Sequence, residues 1–290
     1  MNTIFDCHTH IDLDLETRED YENNMSLTGI EKTIIMCNPF IKEIRCQKNA
    51  SHYVAFNDEQ NCLVARCEQC NSIVYTGDDP YRSYNENLMD SFQNTNFYPF
   101  LMLAMSSSTI YNNIAYYTQN YNGKFYGFKL YTGLSANALD YIAKLETDYP
   151  LLIHTGIQDN QNPIGMLKFV ENYKGKIIFA HFCRLHYDFL KIINNYDNIF
   201  VDTSPAFYLF NRYIVNGHNG GLFKKENIRQ PSDLYHELLQ NIGIDKVVFG
   251  SDYPFSEIKN ETSVLQSLGI NEDDYMKLTR KNFQRFLEKS

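Results

Sequence analysis

The sequence predicts an α/β chain folded as a (β/α)8 TIM barrel, and three observations predict it. Short continuous apolar runs alternate with longer stretches of helical spacing nearly from end to end. The chain has 290 residues, an ordinary length for a barrel of about 250 residues with insertions. Hydrophobic residues make up 43% of it, enough to fill a sizeable core and to set its bulk apart from disordered sequence.

The predicted strands are, in order, Thr3–Asp6, Lys32–Cys37, Phe97–Leu103, Tyr126–Leu130, Leu151–His154, Lys176–Ala180, Ile199–Thr203 and Lys246–Gly250. Each is a continuous apolar run rather than an alternating one, as a parallel strand buried on both faces requires. The stretches between them have helical spacing. Leu139, Ile142, Ala143 and Leu145 share one face, as do Leu167, Phe169 and Val170, and then Leu234, Leu238 and Leu239. A last helix is expected over Glu272–Lys289, capped by Asn271. Eight strand–helix units argue for one closed barrel over residues 1–290. One misread run would leave seven strands or an open sheet.

Two connections exceed the usual length. The first, from about Phe40 to Arg82 after the second strand, holds four cysteines. The second, from about Ser204 to Gln230 after the seventh, is rich in Asn and Gly. Long connections in compact domains often cover a site.

The formal net charge is −9, with no basic run. That gives no electrostatic footprint for nucleic acid or an anionic membrane surface, so neither is expected as a partner. The longest apolar runs, such as Phe100–Met105, are far too short to span a bilayer. No charged-then-apolar leader opens the chain, so a cytoplasmic location is expected. The seven cysteines read as thiols or metal ligands rather than disulfides in that compartment.

Chemistry begins at Asp6-Cys7-His8-Thr9-His10. Residues two apart on a strand point the same way, so His8 and His10 can present two imidazoles to one metal ion. Asp6, of the same parity, is a candidate brace for them. His154 closes the apolar run Leu151–Ile153, His181 closes Ile177–Ala180, and Asp252 follows Val247–Ser251. Lys129 sits near the end of its own strand. In a parallel barrel these ends gather at the C-terminal face, where barrel enzymes carry their catalytic groups. Taken singly, each residue is explained as a hydrogen-bonded loop residue, a turn or a surface charge. Five metal-type residues at four strand ends, all after buried runs, are not.

These residues carry a family resemblance. The sequence resembles the amidohydrolase superfamily, in the branch of aminocarboxymuconate semialdehyde decarboxylase and dicarboxylate lactonases. The matching pieces are Asp6-Cys-His-Thr-His10, Gly127-Phe-Lys-Leu130, Pro150-Leu-Leu-Ile-His-Thr-Gly156 and Ile178-Phe-Ala-His181. They continue with Asn198-Ile-Phe-Val-Asp-Thr-Ser204, Val248-Phe-Gly-Ser-Asp-Tyr-Pro254 and Asn282-Phe-Gln-Arg-Phe-Leu287. The resemblance implies metal ligands at His8, His10, His154 and Asp252, and an acid/base or polarising role for His181. Asp252 is then both ligand and catalytic proton acceptor. One divalent ion, zinc first, is expected, because such an ion lowers the pKa of bound water to about 7. In binuclear relatives a lysine placed like Lys129 is carbamylated and bridges a second ion. In the branch resembled here it would bind a substrate carboxylate instead. Arg184 could clamp an anionic group; a solvated arginine is the equal alternative.

The cysteines depart from the family pattern. They read Cys46-x15-Cys62-x4-Cys67-x2-Cys70 with His52 nearby. The Cys67/Cys70 spacing suits a tetrahedral zinc knuckle, but Cys46 and Cys62 do not form a second close pair. Cys183 is expected to be packed in the barrel.

The leading expectation is a hydrolase that turns a metal-activated water on an amide, ester or lactone of a small, anionic molecule. Its alternative is a non-oxidative decarboxylase on the same ligands. A TatD-like nuclease would have a glutamate where this chain has Lys129, and a basic groove. A non-catalytic binding module would use the cysteine insertion to meet a protein. Barrels of this kind often pair, so a homo-oligomer is allowed, with no interface readable in the sequence.

Overall fold

The continuous apolar runs fold as parallel strands that neighbour one another in chain order, interrupted once by a small separate sheet. In the computed structural model the strands are β1 (Ile4–Ile11), β2 (Ile30–Cys37), β3 (Val54–Glu59), β4 (Cys62–Cys67), β5 (Ile73–Gly77) and β6 (Phe97–Leu103). After them come β7 (Gly127–Leu130), β8 (Leu151–Ile153), β9 (Ile177–Phe179), β10 (Ile199–Asp202) and β11 (Val247–Val248). The structure describes residues 3–288 except 14, 50–53, 60–61, 105–108, 132–135, 145–147, 157–160 and 216–227. The large sheet runs β1-β2-β6-β7-β8-β9-β10-β11. Its two ends meet at a parallel bridge between Thr9 and Tyr253. There Cys7 N–H donates to Phe249 O at 2.9 Å, Asp252 N–H to His8 O at 2.8 Å, and His10 N–H to Tyr253 O at 2.7 Å. These bonds close the ring into the (β/α)8 barrel that the sequence predicts.

Packing follows from strands buried on both faces. Phe5, Ile34, Phe100, Leu152, Ile178, Phe200 and Val248 form one apolar cluster, joined by Phe283 and Phe286 of the terminal helix. The Phe5 and Phe283 rings are 5.4 Å apart and those of Phe200 and Phe286 are 5.7 Å apart. Since Phe5 and Phe200 stand near the starts of their strands, the terminal helix plugs the N-terminal end of the barrel. The opposite end is left for chemistry. Outside, helices coat the strands and have legible ends. Thr17 and Asp20 form a capping box at Arg18–Thr28, and Asn271 caps the helix that starts at Glu272.

Several boundaries move. β1 runs on through Ile11, because its polar residues find partners; Thr9 Oγ1, for example, donates to Asp6 Oδ2 at 3.1 Å. β11 keeps only two residues, the chain turning away to bond β1. The terminal helix runs from Glu272 to Leu287 with a π turn at Lys277–Lys281. Of the predicted helical face at Leu139–Leu145, Leu145 lies outside the described residues.

The first long connection is not a bare loop. β3, β4 and β5 pair antiparallel there. Leu63 and Ala65 pack with Ile41 and Ile44 against Cys37, Met102 and Ala104 at the C-terminal ends of β2 and β6. The second starts with helical turns at Ala206–Leu209 and Phe210–Val215. Among the described residues, no helix is long and apolar enough to cross a membrane.

Candidate metal centre

Strand β1 alone would not aim both histidines inward while also filling the core with Phe5 and Cys7. Its pairing with β2 shifts register between Asp6 and Thr9, and such a bulge re-aims the side chains beyond it. Phe5 and Cys7 join the interior cluster, and His8 and His10 face the interior above them. Gly250 makes room for this. A Cβ there would lie 3.0 Å from His8 Cβ and 3.2 Å from Ser204 Cβ.

Each imidazole is held by its outer nitrogen. His8 Nδ1 donates to Asp202 Oδ2 at 2.7 Å, and His10 Nδ1 donates to Cys37 O at 2.9 Å. Both Nε2 lone pairs therefore turn inward, the arrangement that orients metal-bound histidines. His8 Nε2 and His10 Nε2 are 3.3 Å apart. Asp252 Oδ1 lies 3.2 Å from the first and 3.7 Å from the second.

His181 enters on an unusual backbone. Its φ is 61°, and Phe182, Cys183, Arg184 and Leu185 follow at 56°, 50°, 50° and 48°, a left-handed turn without glycine. Asp202 Oδ1 accepts from His181 N–H at 2.7 Å, and His181 Nδ1 donates to Ser204 O at 3.0 Å. Its Nε2 then accepts from His154 Nδ1 at 2.9 Å. His8, His181 and Asp252 each offer a ligand atom within 4.8 Å of the others. His154 meets the group through His181, with the Tyr131 ring centred 4.6 Å from its own and tilted 49° to it.

Two cations complete the set. Lys129 is fully buried on β7, and its Nζ donates to His8 Nε2 at 2.8 Å, the lone pair that an ion would use. Arg184 is also buried, its Nε donating to Thr155 O at 3.0 Å. Burial, then Lys129, holds His8 and His154 well below the ordinary imidazole range, and burial likewise lowers His181. His10 falls to about 3 for the same two reasons. All four rings are thus neutral near pH 7, the form that binds a metal. Burial pushes Lys129 down to about 8, pushes Asp202 up to about 7 and raises Asp252 well above the carboxylate range. A bound cation would reverse that pressure on Asp252.

The donors fit a divalent ion. A tetrahedral ion with bonds of roughly 2.1 Å has ligand atoms about 3.4 Å apart. The 3.2, 3.3 and 3.7 Å sides of the His8–His10–Asp252 triangle bracket that edge.

The family model described as amidohydrolase matches residues 126–288, more than half of the chain. The chain belongs to the amidohydrolase family. This amidohydrolase is therefore an enzyme of that superfamily, with Lys129, His154, His181, Asp202 and Asp252 inside the matched segment and His8 and His10 ahead of it. No curated protein matches its sequence. Its fold is similar to that of 2,6-dihydroxybenzoate decarboxylase complexed with 2,6-dihydroxybenzoate, at TM-score 0.65 and 15% identity over 99% of each chain. It is also similar to a dihydroxybenzoic acid decarboxylase from Polaromonas sp. JS666 with bound manganese and 2-nitroresorcinol. That likeness has a TM-score of 0.60 at 14% identity, covering 99% of this chain and 97% of the other. A proposed 2-pyrone-4,6-dicarboxylic acid hydrolase from Pseudomonas putida aligns at TM-score 0.61 and 13% identity over 98% and 97%. At these identities the likeness is one of fold.

In the sequence Asp202 and Ser204 stood only as parts of the run Asn198–Ser204, with no role of their own, and nothing pointed to the Cys37 carbonyl. The Asp202-Thr-Ser204 run was the available signal for the first two. A backbone carbonyl has no signature of its own.

Proposed function

We propose that this amidohydrolase is a non-oxidative decarboxylase, a lyase that removes carbon dioxide from a small carboxylated molecule with the help of one divalent ion. The supporting observation is a buried donor triangle, His8, His10 and Asp252, flanked by two buried cations, Lys129 and Arg184, that both act on the Asp252 charge. Such cations suit a substrate carboxylate. The similar folds of two dihydroxybenzoate decarboxylases support the same choice over the hydrolase reading.

His8, His10 and Asp252 Oδ1 would hold the ion, joined by His154 or His181. Two imidazoles and a carboxylate suit zinc and manganese alike. When bound, the ion would act as a Lewis acid on a substrate oxygen next to the reacting carbon. Lys129 and Arg184 fix the carboxylate. Asp252 Oδ2, on the side facing His181 Nδ1 at 3.9 Å, would take up a proton from solvent as the substrate carboxylate settles beside it and pass that proton to the carbon that bears the carboxylate. The C–C bond breaks, its electron pair stays with that carbon, and carbon dioxide leaves. Asp252 is then reprotonated from solvent. His181, neutral and held between Ser204 and His154, keeps that side of the carboxyl in place.

The hydrolase reading retains one favourable feature: the same Asp252 oxygen could take a proton from water. A panel of hydroxybenzoates and of dicarboxylate lactones separates the two. We expect metal-dependent carbon dioxide release from the acids, lost in Asp252→Asn. Ring opening of the lactones with no carbon dioxide from any acid would overturn the lyase reading in favour of hydrolysis.

A further inference from the structure

The insertion between β2 and β6 carries a second cluster of donors, and these are soft ones. Cys67 and Cys70 stand at the turn joining β4 to β5, and Cys46 follows the short helical turn Lys42–Ile44. The three sulfurs lie within 4.8 Å of one another, and Cys46 Sγ is 3.6 Å from Cys70 Sγ. A tetrahedral zinc with Zn–S bonds of about 2.3 Å has sulfurs about 3.8 Å apart. A disulfide needs about 2.05 Å and would use only two of the three.

The backbone around the sulfurs is arranged for thiolates. Cys70 N–H donates to Cys67 Sγ at 3.4 Å, and the Gln69 amide does the same. The amides of Lys48 and Asn49 donate to Cys46. Ser72 Oγ is 3.0 Å from Cys70 Sγ. Donors aimed at sulfur offset the negative charge that several thiolates bring to one ion. Two of the three cysteines thus receive amides from the second and third residues after them, on two separate turns.

We propose that Cys46, Cys67 and Cys70 bind one structural zinc ion as thiolates, with water or a single non-sulfur donor at the fourth vertex. Cys62 does not take part. It pairs with Glu59 at the far end of β4, five residues and therefore about 17 Å of strand from Cys67. The ion would tie the segment at Cys46 to the β4–β5 turn. A sheet of three short strands has little core of its own, so a metal adds folding energy where packing is thin. This sheet packs on the barrel mouth through Leu63 and Ala65, in a cluster that Tyr131 also joins. The zinc would therefore stiffen one wall of the catalytic entrance. The inference does not depend on which reaction the barrel performs.

The full chain with the barrel ligands removed tests it. A His8→Ala/His10→Ala variant should retain one equivalent of zinc by elemental analysis. A mercurial reagent should release that zinc as the thiols titrate, and adding Cys70→Ser should abolish it. Growth or exchange with cobalt(II) should give thiolate-to-cobalt charge-transfer absorption in the near ultraviolet, which histidine and carboxylate ligands do not produce. The cobalt spectrum of the unaltered protein decides the matter even where Cys70→Ser does not fold. The proposal is overturned if that absorption is missing and the thiols titrate without releasing metal. It is equally overturned if intact mass shows two of the cysteines joined as a disulfide in the protein as isolated.

Discussion

Asp202 carries more of the candidate site than any residue that would touch the ion. One carboxylate accepts from His8 Nδ1, from the amides of His181 and Ser204, and from Ser204 Oγ. It therefore sets the ring of one ligand and the backbone of His181 at once. Asp202→Asn keeps the shape but replaces an acceptor-only group by one that must turn an N–H toward some of these donors. We expect divalent-ion affinity, measured by chelator competition, to fall roughly 10–100-fold with little change in far-ultraviolet circular dichroism. Unchanged affinity would mean that His8 does not need this support. At this scale the sequence was informative about side chains that announce a chemistry, and weak about their supports. His8, His10, His154, His181, Lys129 and Asp252 could be read because strand ends converge in a parallel barrel. The bulge in β1 could not, since alternation alone puts Asp6 on the histidine side. In the structure Asp6 turns to the His8 and Ser251 amides instead, at 3.0 Å each.

The elements show the same division between what repeats and what is particular. Buried parallel strands have a strong pattern, and all eight appear where apolar runs predict them. The turn His181–Leu185 has none. Five successive left-handed residues without glycine cost about 1–2 kcal/mol each, and the contacts that hold them, to Asp202, Ser204 and Thr155, are remote in sequence. The small sheet β3-β4-β5 was hidden because its strands are only five or six residues long and pair with one another, apart from the repeating strand–helix pattern of the barrel. Between elements, a buried acid makes a prediction. Glu261, on the helix Ile258–Gln266, accepts from Ser256 Oγ at 2.6 Å and from the Phe207 amide at 3.2 Å. It thereby links that helix to the turn after β10. Burial raises its pKa from 4.5 to about 8. The folded protein therefore keeps a proton that the unfolded chain gives up above pH 4.5. Stability from this group is complete below that pH and is lost as pH rises to about 8, a span worth on the order of 5 kcal/mol. Glu261→Gln mimics the protonated acid and should remove this slope. Denaturant unfolding at pH 5, 7 and 9 should show the variant gaining on the parent as pH rises. Parallel pH profiles would show that Glu261 is ionised in the fold.

At the scale of the whole molecule, the candidate metal centre sits on the seam of the barrel. Seven of the eight neighbour pairs are ladders between consecutive barrel strands, but β11 meets β1 through one bridge and a few backbone bonds. His8 and His10 stand on one side of that seam and Asp252 on the other. An ion held by all three would join the first barrel strand to the last, so binding and barrel closure should be one event. A ligand at a hundred times its dissociation constant adds about 2.7 kcal/mol to stability. For a chain of 290 residues, whose unfolding entropy is about 0.6 kcal/mol/K, that corresponds to a rise of about 4 °C in Tm. Manganese is the ion to use, since thiolates prefer softer metals and the cysteine cluster should stay silent. Adding it to chelator-treated protein should raise Tm by that amount, and the His8→Ala/His10→Ala variant should not respond. Hydrogen exchange should locate the effect. The amides of Cys7, His10 and Asp252, which form the seam, should gain more protection than those of β7 and β8 across the barrel. A uniform gain would mean that the ion stabilises the fold without closing it. No gain at the seam, with the metal demonstrably bound, would place the ion on one side of it and remove Asp252 from the ligand set.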